Sequence, residues 1–204
     1  ENIYRTAVVG LTGTGAIHAP IESAELRRPM GRSHVSAYVT HPRTELVADA
    51  TYAEKHYKNF ADPDDLANTA IYSDFGNLLS NEKPDIVSVV TGDHVHADLT
   101  VTAAESNVQA IFCEKPIATT LEDADRMISA CARNGVLLSV DHARRWSALF
   151  SEAQRIVASG SLGSIRTMST EHYGPRAMLF RNGTHLIDLL RFFSGAVPHW
   201  VTAK

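Results

Sequence analysis

Short apolar runs alternate with longer amphipathic ones along the first two thirds of the chain. Arg5 to Gly10, Glu45 to Ala50, Asp85 to Val90, Gln109 to Cys113 and Val136 to Val140 are brief, rich in β-branched residues and bounded by turn signals. Such runs predict strands rather than buried helix. His96 to Glu105 places Ala97, Val101 and Ala104 on one face, and Leu121 to Asn134 places Leu121, Ala124, Met127, Ile128 and Cys131 at helical spacing. The second of these helices has Thr119-Thr120 as caps, Glu122-Asp123 in its first turn and Asn134-Gly135 at its stop. Strands alternating with helices predict βαβ units and a parallel sheet. The first unit is interrupted: Pro20 and the run Ile21 to Ser33 read as an insertion ahead of a helix from His34 to His41. The sequence shows no internal repeat.

The pattern changes near Asp141. Ala148 to Ser159 predicts a helix ending at Gly160, and Ser164 to Tyr173 a strand of mixed polarity suited to an antiparallel sheet. Thr184 to Phe193 predicts a helix closed by Ser194-Gly195, and His199 to Lys204 begins a further strand. The expected division is residues 1–143 and 144–204, the second part being small for an independent core.

Composition narrows the class. Of 204 residues, 44% are hydrophobic and 21% charged, as in globular domains. Nineteen basic residues against 23 acidic ones give a net charge of −4, which argues against a nucleic-acid partner. No apolar stretch reaches the roughly 18 residues of a membrane span. Two cysteines, Cys113 and Cys131, both in apolar runs, make no disulfide framework and fit a cytoplasmic protein. The first residue is Glu1 rather than Met, which reads as a trimmed or processed chain.

The polar clusters sit where chemistry is expected in an open parallel sheet, after the carboxyl ends of strands. Gly10-Leu-Thr-Gly13-Thr14-Gly15-Ala16-Ile17-His18 follows the first strand. Gly13 permits a tight turn and Gly15 a close approach of backbone amides to a pyrophosphate, although His18 stands where the third glycine of the motif belongs. Asp49, or Thr51 if the second strand is longer, is the candidate for the adenosine ribose. Thr51 would leave room for a 2′-phosphate, so both NAD and NADP stay open. Thr91-Gly-Asp-His94-Val-His96 follows the third strand, Glu114-Lys115-Pro116 the fourth, and Asp141-His-Ala-Arg-Arg145 the fifth. A lysine at a strand end beside an acid can donate a proton or position an alcohol. His185 and Asp188 share a face of their helix, and its N-terminus disfavours an imidazolium, which makes His185 a proton acceptor. A competing reading takes His94 and His96 as a metal pair of a hydrolase; the glycine turn argues against it and for no metal.

In their order, these motifs resemble the Gfo/Idh/MocA family of oxidoreductases. The resemblance rests on Cys113-Glu-Lys-Pro116 and Gly183-Thr-His-Leu-Ile-Asp-Leu-Leu-Arg191, with support from the glycine turn, Thr91 to His96, and Asp141 to Trp146. It implies a Rossmann-type doubly wound domain that binds NAD or NADP. It further implies part of an α+β substrate domain with a mostly antiparallel sheet that often pairs subunits. Lys115 matches the family lysine near the nicotinamide, and His185 the histidine that handles the proton. Thr91, His94, His96 and Glu114 match the loops lining the cofactor cleft, and Arg145 a basic position near it. The implied reaction is hydride transfer to or from a sugar, polyol or acidic derivative, in a homo-oligomer. A dinucleotide-binding protein without turnover is the alternative. Three features depart from the family: Arg181 stands four residues before His185, where many of these dehydrogenases carry Asp; the insertion at residues 21–33 lies close to the phosphate turn; and the chain is shorter than family members usually are. Arg181 and Asp188 are the candidate substrate contacts.

Overall fold

A computed structural model describes residues 2–10, 33–50, 69–173 and 179–202. It divides into two compact units, Glu1–Val140 and Asp141–Lys204.

In the first unit, β1 (Tyr4–Val9), β2 (Thr44–Ala50), β3 (Ala70–Tyr72), β4 (Ile86–Val89), β5 (Ala110–Cys113) and β6 (Leu137–Val140) form one sheet. Its order is β3-β2-β1-β4-β5-β6 and every pairing is parallel. The order reverses between β1 and β4, so the crevice for a ligand opens at their carboxyl ends. Buried strands of this kind read as near-continuous apolar runs, and Ala7, Val9, Val87, Val89, Ile111 and Cys113 fill one face.

That face is covered by α2 (Phe75–Glu82), α3 (His96–Ala104) and α4 (Leu121–Asn134), through Leu78, Leu79, Ala103, Met127 and Cys131. The helix starts follow from local chemistry. The Asp74 carboxylate accepts from the Asn77 amide at 2.7 Å, and the Thr120 hydroxyl from the Asp123 amide at 3.1 Å, each satisfying an orphan donor of the first turn. The other face receives α1 (His34–Thr40), capped by Ser33 in a reciprocal bond pair with Ser36.

The five strands expected between Arg5 and Val140 and the helices expected at 34, 96 and 121 form. The short β3 and the helix α2 were not anticipated. The turn residues Gly13, Thr14, Gly15, Ala16 and Ile17, the insertion at 21–33 except Ser33, and Thr51 lie outside the described residues.

The second unit holds a 3-10 turn (Ala143–Trp146), α5 (Ala148–Ala158), a π turn (Leu179–Gly183) and α6 (Thr184–Ser194). Phe150 of α5 and Phe193 of α6 meet with ring centroids 6.5 Å apart. Among its described residues there is no strand. The strand expected at 164–173 is an exposed run without a ladder, and 199–202 is likewise unpaired. A strand needs a partner for its backbone donors and acceptors, and the described residues provide none there.

Candidate functional site

Backbone bonds draw the strand ends of the first unit into one edge. The Gly10 amide donates to the Ala50 carbonyl at 2.9 Å, Val90 to Val9 at 2.8 Å, and Glu114 to Val89 at 2.9 Å. Gly10 has φ +103°, and a Cβ there would stand 2.7 Å from the Val90 carbonyl oxygen and 2.9 Å from Thr91 Cγ2. Only glycine allows the chain to leave β1 this close to β4. The strand ends at this switch point are where an open parallel sheet takes a dinucleotide.

Thr91, His94 and His96 follow β4 as expected, but they do not act alike. His94 is exposed and its ring lies over Gly92, where a Cβ would come 2.8 Å from Cε1. His96 opens α3 and turns inward, 1% exposed. Its Nδ1 is 2.9 Å from the Pro116 carbonyl oxygen and its Nε2 3.2 Å from that of Thr91. Carbonyl oxygens at both ring nitrogens are incompatible with a metal pair formed with His94.

Glu114 and Lys115 follow β5, and the Lys115–Pro116 peptide is cis. The Lys115 amide donates to Glu114 Oε2 at 3.1 Å, while Glu114 Oε1 faces His34 Nε2 at 3.6 Å. His34 Nδ1 lies 2.9 Å from Ser88 Oγ, which also bonds the Tyr38 hydroxyl at 2.7 Å. Sequence reading missed His34, Ser88 and Tyr38. Their partners are 50 and more positions away, and the sole local signal was a histidine directly after the Ser33 cap.

Asp49, the penultimate residue of β2, is wholly buried, and among the described residues neither carboxylate oxygen has a hydrogen-bond partner. Burial pushes its carboxyl well above the usual carboxylate range.

In the second unit, Arg145 and Asp188 are brought together. Arg145 Nε donates to both Asp188 oxygens at 2.9 and 2.8 Å, and Nη2 reaches Oδ1 at 2.7 Å. Arg145 also stacks over Phe192, 5.2 Å from its ring centroid. The buried Asp188 carboxylate holds the guanidinium pKa up. His142 Nδ1 stands 4.0 Å from Asp188 Oδ2, and the His142 ring meets His185 edge-on at 6.3 Å. So Asp188 and Arg145, expected at substrate and cofactor, are engaged with each other beside His185. Arg181 is exposed in the π turn before α6.

A six-stranded parallel sheet in this order, with a glycine at the β1 exit and polar loops at the switch point, defines a nucleotide-binding Rossmann domain. The family of oxidoreductases with an NAD-binding Rossmann fold named Gfo/Idh/MocA matches residues 5–142, and the chain belongs to it. It is 33% identical over 148 residues to D-apiose dehydrogenase of Paraburkholderia graminis, covering 65% of this chain and 39% of that protein. It is 30% identical over 103 residues to inositol 2-dehydrogenase of Salmonella typhimurium, covering 50% and 30%. Among solved structures, apo scyllo-inositol dehydrogenase from Lactobacillus casei shares the fold with TM-score 0.76 at 18% identity, covering 95% of this chain and 55% of that one. The chain thus spans about a third to a half of the length of such relatives. No helix among the described residues is long and apolar enough to cross a membrane.

Proposed function

We propose that the chain carries the cofactor site of an NAD- or NADP-dependent oxidoreductase. Its reaction moves a hydride between nicotinamide and a sugar, polyol or related hydroxy compound. The observation that carries this reading is the placing of Glu114-Lys115 at the end of β5, on the edge where β1 and β4 diverge. Gly13 to Ile17 would receive the pyrophosphate, Asp49 or Thr51 the ribose, and Thr91, His94 and Glu114 would line the cleft. When bound, the cofactor supplies the hydride acceptor or donor. Lys115 holds the substrate oxygen, and His185 takes the hydroxyl proton in the oxidation direction. Sugar and inositol dehydrogenases among the relatives support this substrate class.

Arg181 favours a narrower reading of the substrate. A permanent cation four residues before His185 pairs with a carboxylate or phosphate and repels an imidazolium. The preferred substrate is therefore an acidic sugar or polyol derivative. Exposed Ile165, Phe180 and Trp200 in the second unit support self-association through residues after Ser164, which light scattering tests.

Thermal-shift titration with NAD and NADP tests the cofactor reading. A hundredfold excess over Kd stabilises the folded chain by about 2.7 kcal/mol; no shift with either nucleotide overturns it. A substrate panel then tests turnover. Lys115→Met or His185→Ala lowers kcat by about 10²–10⁴-fold, with cofactor affinity retained in His185→Ala. Cofactor binding without reduction by any alcohol selects the non-catalytic alternative.

A further inference from the structure

Lys115 is bracketed by two buried imidazoles, one acting on each side of its backbone. Before it, Glu114 divides its carboxylate: Oε2 accepts the Lys115 amide at 3.1 Å and Oε1 faces His34 Nε2 at 3.6 Å. His34 is itself fixed from behind, its Nδ1 lying 2.9 Å from Ser88 Oγ, whose hydroxyl Tyr38 also holds at 2.7 Å. After it, the Pro116 carbonyl oxygen lies 2.9 Å from His96 Nδ1, and the Thr91 carbonyl oxygen 3.2 Å from Nε2. Both rings are enclosed, at 7% and 1% exposure.

Glu114, His34 and Ser88 repeat the carboxylate–imidazole–hydroxyl order of a hydrolytic triad. A nucleophile must reach its substrate, however, and Ser88 is wholly buried within β4 with its hydroxyl shared between His34 and Tyr38. The set can hold a group in place but cannot attack one.

We propose that His34 and His96 are positioning residues that lock the backbone of Lys115 between them, His34 through Glu114 and His96 through Pro116, without either touching a ligand. A lysine amine rides on a long flexible stem, so the origin of that stem governs where it can act. Misplacement by about 1 Å of a reacting group costs on the order of 10²-fold in rate. Two anchors on adjacent residues remove the freedom that would allow it. The catalytic consequence rests on the role given to Lys115 above; the lock itself is a property of the free chain.

The test exploits the two ends of an imidazole. Asn places an amide near the position of Nδ1, and Gln near that of Nε2. His34 acts on Glu114 through Nε2, whereas His96 acts on Pro116 through Nδ1, so the rescuing residue is opposite at the two sites. The readout is hydrogen exchange of the Lys115 amide in the chain without cofactor, followed by NMR; Pro116 has no amide to obscure it. Loss of the contact speeds exchange about fivefold or more in His34→Asn and His96→Gln, while His34→Gln and His96→Asn remain within about twofold of wild type. The Val8 amide in the sheet centre, unchanged throughout, reports that the fold is intact. If the His34 variants do not fold, Glu114→Ala removes the His34 side of the bracket without entering the ring and gives the same acceleration, and the His96 side is read from His96→Gln. Unaltered Lys115 exchange in Glu114→Ala overturns the proposal, as does the absence of the crossed Asn/Gln order in folded variants. With NAD and myo-inositol as probes, His34→Asn and His96→Gln lose kcat at unchanged KM. Failure of the wild type to turn over any alcohol removes the oxidoreductase reading and leaves the exchange result standing.

Discussion

Asp49 and Ser88 flank the same residue of the central strand, Val8, in one row across the sheet, yet among the described residues Ser88 has hydrogen-bond partners and Asp49 has none. The register pairs Val8 with Asp49 on β2 and with Ser88 on β4. Parallel partners share a face, so both polar side chains enter the layer beneath α1. Ser88 is met there by His34 and Tyr38, and Asp49 by no donor among the described residues.

This asymmetry sets a pH dependence. Burial raises the Asp49 carboxyl above its ordinary value of 3.8, so the folded chain binds a proton more tightly than the unfolded one. The contribution of this group to stability is then fully present below that value and is lost as pH rises through the folded pKa. Asp49→Asn removes this slope. Thermal unfolding between pH 4 and 8 should show the variant gaining on wild type as pH rises, by about 1–3 kcal/mol at neutrality. A constant difference across the range counts against a buried, unpaired carboxyl.

Two glycines with positive φ should respond differently to alanine. At Gly10, the new Cβ meets backbone at 2.7 Å, whereas at Gly195, φ +65°, nothing lies within 4 Å. Gly195→Ala bears only the left-handed penalty of about 1–2 kcal/mol. Gly10→Ala adds a clash in the sheet centre and should lose about 3 kcal/mol or more, together with NAD binding. Urea unfolding of both variants makes the comparison.

The Arg145–Asp188 fork predicts a stability effect within the second unit. Asp188→Ala leaves a guanidinium without its acceptors. Since Arg145 keeps about a third of its side chain in solvent, the loss should be nearer 2 kcal/mol than the 3–5 of a fully enclosed pair. Arg145→Lys keeps the charge but not the fork and should recover less than half of it. Denaturant midpoints of the three proteins decide this.

Cys113 should be silent toward thiol reagents while the chain is folded. Burial pushes its thiol up to about 12, which leaves almost no thiolate at pH 8. Burial raises Cys131 in the same direction. Labelling with an aromatic disulfide should proceed only at the rate of unfolding and reach two thiols in urea; rapid labelling of the native chain would contradict the packing.

The sheet was legible because its strands are apolar runs broken by turns, and α4 because its caps and its apolar stripe agree. Helix α2 carried the same signals, an Asp74 cap followed by Phe75, Leu78 and Leu79 at helical spacing, and could have been read. β3 could not, since three residues carry no periodicity. Ser164 to Tyr173 has the mixed polarity of a strand with one wet face, but pairing depends on a neighbour, which local pattern does not disclose. The strand-end clusters were visible as a set, while their division into surface and interior was not. His94 and His96 are two positions apart in the same motif; one is exposed and the other is turned beneath Pro116, a choice made by a carbonyl 20 residues away.

The position of β1 also bears on how the chain comes to be folded during its synthesis. Its first neighbour, β2, begins at Thr44, but its other edge waits for β4, whose Ile86 pairs with Thr6. The Arg5 amide likewise meets its acceptor only at Asp85. At translation speeds of about 5–20 residues per second, the central strand spends on the order of 4–15 s with one edge open after it has emerged. During that interval Ala-Val-Val of residues 7–9 is an apolar strand with unpaired donors and acceptors, so yield in a cell depends on what shields it as well as on the stability of the finished sheet.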